Sequence, residues 1–252
     1  MNNLRFYWRQ LRVILHVLIG VMTCALIFPW VGAQNQEFLI RRWSSQLLGL
    51  CKIKLHFIDK SHGKSAAHAL IIANHVSWLD IFVINAWRPC HFVAKADIRS
   101  WPIAGWLSAQ AGTIFLARGK QREVRRIYEG LVDQLQAKKR IAFFPEGTTG
   151  SQGAVLPFHA NLFEAAIEAQ VPIQAFAIRY LDPQGELEHA VDFIGEMSFA
   201  ESMRLILDKN GTVVELIQLP SISTEGAHRR EVADQAREAV VQGLNVHTSA
   251  AL

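Results

Sequence analysis

The chain has 252 residues, half of them hydrophobic, and a formal net charge of +4, enough for one substantial core with a terminal appendage. The charge is uneven: residues 1–60 carry +6 and the remainder −2, which points to an anionic membrane surface and argues against a nucleic-acid groove across the domain. Cys24, Cys51 and Cys90 are odd in number and lack metal-ligand spacing, which excludes a disulfide framework and leaves small buried hydrophobes in a reducing compartment.

Residues 13–33 contain no formal charge; as a helix, these 21 residues would measure about 31 Å against a hydrocarbon core of about 30 Å. His16 and Gly20 weaken the stretch, and Pro29 is placed to kink or end the helix. Residues 36–51 set Leu39, Trp43, Leu47 and Leu50 at near-helical spacing beside Arg41 and Arg42, the pattern of a helix lying in the membrane interface. A secretory signal competes for the same stretch, with Arg5, Arg9 and Arg12 as its basic region and Val31-Gly32-Ala33 as a cleavage site. It ranks second because the apolar run is long for such a signal. All seven tryptophans fall in the first 106 residues, which fits either a face resting on lipid or ordinary packing.

Residues 69–73 form a short apolar run, expected to be a strand buried on both faces. Ser77 followed by Asp80 has the form of a capping box, predicting a helix from Trp78 that fades before Pro89. His75 then sits in the turn after a strand, where open α/β sheets place ligands. On one continuous helix, His75 and Asp80 would point about 140° apart. Across a turn they can meet, and the carboxylate would fix the imidazole tautomer and stabilise the imidazolium. Singly, each residue is also explained as a cap or a turn residue.

Strands are predicted over residues 91–94, ending at Lys95, and 113–116, ending near Arg118. Between them, residues 101–107 are apolar and uncharged, suited to lining an apolar groove open to the bilayer. Val124, Ile127, Tyr128, Leu131 and Leu135 recur at helical spacing within residues 122–138. Residues 140–144 are a buried-strand candidate running into Pro145-Glu146-Gly147-Thr148-Thr149-Gly150, whose backbone N–H groups and hydroxyls suit an oxyanion or phosphate. A helix over 158–169, a strand over 173–180 opened by Pro172, a strand over 213–219 and a helix over 227–244 complete the alternation. It predicts an α/β layered fold. The simplest partition is an appendage over residues 1–55 and a catalytic domain over 56–252. No nucleophile elbow, zinc-protease motif or phosphate-binding loop with Gly-Lys-Ser/Thr spacing is present.

Taken together, Asn74, His75, Ser77 and Asp80, then Gly112, Phe115 and Arg118, then residues 144–148 (Phe-Pro-Glu-Gly-Thr), then Val171-Pro172-Ile173 resemble, in order and spacing, the four motifs of the glycerolipid acyltransferases that acylate lysophosphatidate. The resemblance covers roughly residues 68–180. Two positions depart from it: Thr149 stands where the family usually has arginine, and Ala175 where it usually has a second proline.

The resemblance implies a mostly parallel sheet flanked by helices and an N-terminal two-helix anchor in one leaflet, with the catalytic domain on the cytoplasmic face of the inner membrane. It implies acyl transfer from acyl-CoA or acyl carrier protein to the sn-2 hydroxyl of 1-acyl-glycerol-3-phosphate, without a metal or bound cofactor and without a nucleic-acid partner. His75 would be the general base and Asp80 its orienting partner. Lys95 and Arg118 would bind the acceptor's phosphate. Gly147 and Thr148 would hold the head group or the developing oxyanion, and Glu146 would act as a scaffold. Thr149 motivates the alternative of another lysolipid acceptor, lyso-ornithine lipid or lysophosphocholine. A hydrolase using Ser77 and a non-catalytic lipid-binding module are the remaining alternatives.

Overall fold

The computed structural model describes residues 3–66, 68–116 and 121–245. Helices α1 (Asn3–Leu26) and α2 (Ala33–Leu50) lead into β1 (Ile53–Asp59) and β2 (Leu70–Ala73). Then come α3 (Asp80–Trp87), β3 (His91–Lys95), α4 (Ala104–Gln110), β4 (Ile114–Leu116), α5 (Gln121–Gln136) and β5 (Ile141–Phe143). The chain ends with α6 (Phe163–Glu168), β6 (Ile173–Leu181), α7 (Phe199–Asp208), β7 (Thr212–Gln218) and α8 (Arg229–Asn245).

The strands form one sheet in the order β1-β7-β6-β2-β5-β3-β4, and every neighbouring pair is parallel except β6 with β7. Side chains on a strand alternate between faces, and the core divides accordingly. Ile71, Phe176, Ile178 and Leu216 pack with Leu79, Val83 and Leu48 beneath α2 and α3. Leu70, Ile72, Ile173 and Ile217 pack with Leu131, Phe163 and Ala236 beneath α5, α6 and α8. Both faces of β2 are covered, and all four of its residues are buried. The layered α/β fold and its mostly parallel sheet match the sequence-based expectation.

Several details differ from that expectation. Strand β1 and helices α4 and α7 were not predicted. Lys54 and His56 interrupt the apolar run of β1, which lies at the sheet edge, where charge is tolerated. Helix α3 begins at Asp80 rather than Trp78. Of residues 158–169, only Phe163–Glu168 is α-helical, after a 3-10 turn over Ala160–Leu162.

At the N-terminus, two helices form, but among the described residues only the first is long and apolar enough to cross a membrane. Helix α2 is part of the body and packs on α3. Helix α1 is docked along one stripe: Phe6 joins the core, Arg9 Nη1 donates to the Leu207 carbonyl at 2.6 Å, and Val13 is buried. His16 Nε2 donates to the Trp43 carbonyl and Trp43 Nε1 donates to the His16 carbonyl, both at 3.0 Å, with the rings stacked. A Cβ at Gly20 would come within 2.7 Å of the Trp43 indole, so the close helix crossing requires glycine there. The opposite stripe, including Leu11, Leu15, Leu18 and Met22, is exposed.

Candidate active site

Strand β2 ends against β5 and β6, with Ile72 opposite Phe143 and Ala73 opposite Phe176. The next residue, Asn74, is buried and extends the pairing with its side chain. Its Nδ2 donates to the Ile178 carbonyl at 2.9 Å, and its Oδ1 accepts the Ile178 N–H at 2.8 Å. The chain is thereby fixed to β6 up to the start of the turn that carries His75.

Within that turn, the fully buried Asp80 collects four donors. Oδ2 accepts His75 Nδ1 at 2.8 Å, the Val76 N–H at 2.7 Å and the Ser77 N–H at 2.9 Å. Oδ1 accepts the Tyr180 hydroxyl at 2.7 Å. A carboxylate that accepts from Nδ1 assigns the proton to that nitrogen and leaves Nε2 with a free lone pair. The imidazole lies flat on Phe144, with ring centroids 4.0 Å apart and planes at 8°. The His75 side chain retains 17% of its exposure while Asp80 has none. A part-exposed imidazole is thus oriented by a sealed carboxylate.

Glu146 fastens the second loop to the first. Its two carboxylate oxygens accept the backbone N–H groups of His75 at 2.7 Å and Leu156 at 2.8 Å, and the Gly150 N–H returns to the His75 carbonyl at 2.8 Å. Burial pushes the Glu146 carboxyl above its ordinary value, opposed by those two N–H groups. Gly147 has φ +68° and, with Thr148, is exposed on the loop that Glu146 and Gly150 tie to His75. Thr149 turns inward and donates its hydroxyl to the Phe193 carbonyl.

Of the predicted site residues, His75, Asp80 and Glu146 come together at the edge formed by the C-terminal ends of the central strands, with Gly147 and Thr148 on the adjoining loop. Lys95 is exposed at the C-terminal end of β3, on the same edge because β2, β5 and β3 run parallel. Arg118 lies outside the described residues. Ser77 departs from the capping-box expectation: its N–H reaches Asp80, but its buried Oγ has no hydrogen-bond partner among the described residues. That hydroxyl also lacks the contact with a base that a serine nucleophile needs.

Tyr180 is a contributor that sequence reasoning missed. It is fully buried, and its phenol is pushed well above the ordinary value by burial first and by the Asp80 charge second, so it stays a donor. Gln152 supports it, accepting the Tyr180 N–H at 2.7 Å and donating to the Glu188 carbonyl at 2.9 Å. Among the described residues, no group of three or more histidine, cysteine, aspartate or glutamate side chains is placed to hold a metal. Burial pushes the thiols of Cys51 and Cys90 up to about 12, which keeps them unreactive.

The family profile described as Acyltransferase matches residues 52–179, the span that contains this geometry. The chain belongs to that acyltransferase family. The enzyme is 34% identical over 248 residues to the lyso-ornithine lipid O-acyltransferase of Pseudomonas aeruginosa, covering 95% of this chain and 93% of that one. It is 44% identical over 117 residues to the 1-acyl-sn-glycerol-3-phosphate acyltransferase of Neisseria gonorrhoeae, covering 46% of each. In fold, the acyltransferase is similar to the crystal structure of the 1-acyl-sn-glycerophosphate acyltransferase of Thermotoga maritima, with a TM-score of 0.65 at 17% identity over 96% of this chain and 98% of that one.

Proposed function

We propose that this acyltransferase moves a fatty acyl group from a thioester, acyl-CoA or acyl carrier protein, to the free hydroxyl of a lysolipid at a membrane. The observation that carries the reading is the 2.8 Å contact of His75 Nδ1 with a sealed Asp80, which leaves Nε2 as an oriented base. Nε2 takes the hydroxyl proton as the oxygen attacks the thioester carbon, a contribution of about 10² to 10⁴ in rate. Asp80 stabilises the imidazolium. Collapse of the tetrahedral intermediate breaks the carbon–sulfur bond, and the departing thiolate takes the proton back from Nε2. Donors near Gly147 and Thr148 stabilise the oxyanion or hold the head group. Glu146 acts as the scaffold between the two loops, and Lys95 and Arg118 bind the acidic part of the acceptor. Helix α1 serves as the membrane anchor, and the body from α2 onward, in which α2 packs against α3, serves as the catalytic domain on the cytoplasmic face of the inner membrane.

For the acceptor, lyso-ornithine lipid is favoured over 1-acyl-glycerol-3-phosphate. Likeness to the Pseudomonas aeruginosa enzyme runs nearly end to end, whereas likeness to the Neisseria gonorrhoeae enzyme covers under half of the chain. Thr149 removes an arginine that would serve a phosphate, and its hydroxyl is engaged with Phe193 instead. The deciding experiment is a donor-by-acceptor matrix on the detergent-purified full chain. Ornithine lipid should form faster than phosphatidate at equal acceptor concentration. Faster phosphatidate formation would restore lysophosphatidate as the acceptor, and no thioester consumption with any lysolipid would reject acyl transfer.

A further inference from the structure

The turn that enters α4, together with the first turn of that helix, is an exposed apolar element with a rigid support. Trp101, Ile103 and Trp106 expose 50%, 51% and 41% of their surface. Ile103 has φ +62° and ψ −57°, and the Ala104 N–H reaches the Pro102 carbonyl at 2.6 Å, a γ-turn centred on a β-branched residue. Such a residue at positive φ is a conformational outlier, held only when its surroundings over-determine it. Here they do: the Gly105 N–H bonds the Trp101 carbonyl at 3.0 Å, and the Leu107 N–H bonds the Ile103 carbonyl at 2.8 Å. A Cβ on Gly105 would lie 2.3 Å from the Arg99 carbonyl, so the start of α4 is pressed onto the preceding 3-10 turn, Ala96–Ser100.

We propose that this turn is a second membrane-inserting element, which sinks Trp101, Ile103 and Trp106 into the leaflet beside α1; the inference rests on the reading of the chain as a lipid acyltransferase. Its occupant is the bilayer. Helix α4 packs against α1, whose outward stripe is apolar, so the two exposed surfaces adjoin. Lys95 and Arg99, both exposed just before the turn, match anionic head groups. Tryptophans flanking an aliphatic tip suit the passage from head group to acyl chain. The turn follows β3 at the sheet edge that carries His75, so its insertion brings the lipid surface to the base.

The test uses the full chain carrying Cys24→Ser, since Cys51 and Cys90 are buried, with the fluorophore NBD on Ile103→Cys or, separately, on Leu15→Cys. Added vesicles of phosphatidylethanolamine and phosphatidylglycerol should shift both emissions to the blue, and lipids bearing nitroxides on their acyl chains should quench both. A shift at residue 15 alone would overturn the proposal and leave the anchor standing; a shift at neither would remove both. A second variant, Ile103→Gly, relieves the backbone and should raise Tm. It should also raise the vesicle concentration for half-maximal binding about tenfold through the lost apolar side chain. Unchanged dependence on vesicle concentration would overturn the proposal.

Discussion

The two halves of the sheet do different work. On one side, β2, β5, β3 and β4 are parallel and short, and the turn after β2, the loop after β5 and the end of β3 hold His75, Glu146 and Lys95. On the other, β6, β7 and β1 are longer, include the antiparallel pair, and contribute through Tyr180 and Ile178. The first half presents the candidate site residues, and the second holds them in place. The His75–Asp80 pair, set within six consecutive residues, is therefore completed by a strand a hundred residues away.

Breaking the presenting half should have the largest effect. His75→Ala removes the group proposed to take the hydroxyl proton, and kcat should fall by about 10³ or more, with vesicle binding unchanged. Substantial residual turnover would reject the general-base role. Asp80→Asn should follow closely. Asparagine offers one accepting oxygen and one NH2: with the oxygen on His75 Nδ1 the buried Tyr180 hydroxyl loses its acceptor, and with the NH2 there the imidazole is driven to the other tautomer. A loss of about 10²-fold or more in kcat is expected, together with lower stability.

The holding half is probed by Tyr180→Phe. The hydrogen bond lost is one to a charged acceptor, costing about 1.5–3 kcal/mol of stability, and looser placement of Asp80 should lower kcat about tenfold. The phenol's pKa is raised in the fold, so the native state holds this proton more tightly than the unfolded chain. Its stability contribution is then complete below the ordinary tyrosine value of about 10 and declines only above it. The Tyr180→Phe deficit in melting temperature and kcat should therefore be constant between pH 6 and pH 9. A deficit that changes across that range would place a titrating group other than Tyr180 in the effect.

The same division marks what could be read before the fold was known. His75 and Asp80 lie within one turn, and their loop partner Glu146 sits in a five-residue motif, so local spacing carried them. Tyr180 carried no such signal: on β6 it occupies an ordinary alternating position, and only the β2–β6 pairing aims its hydroxyl at Asp80. Asn74 was visible as a motif letter but not as a surrogate strand residue, because its partner is Ile178. Strand β1 was hidden by charges that only an edge position permits. Helix α4 was obscured because its start depends on Gly105 fitting against the Arg99 carbonyl.

Ser77 sharpens the comparison with the smallest expected effect. Ser and Asp three residues apart are the letters of a capping box, yet here Asp80 is claimed by Nδ1 of His75, two backbone N–H groups and a phenol, and α3 starts at Asp80 itself. The serine hydroxyl is left fully buried without a partner among the described residues. Such a group pays desolvation with no return, so Ser77→Ala should leave thermal stability unchanged or raise it by up to about 1 kcal/mol, with kcat within about twofold. Acyl transfer by direct attack of the lysolipid hydroxyl requires that outcome. An acyl group found on Ser77 after mixing with donor alone, and absent from Ser77→Ala, would instead make the serine a nucleophile and His75 its base, moving the chemistry from one oxygen to the other within the same turn.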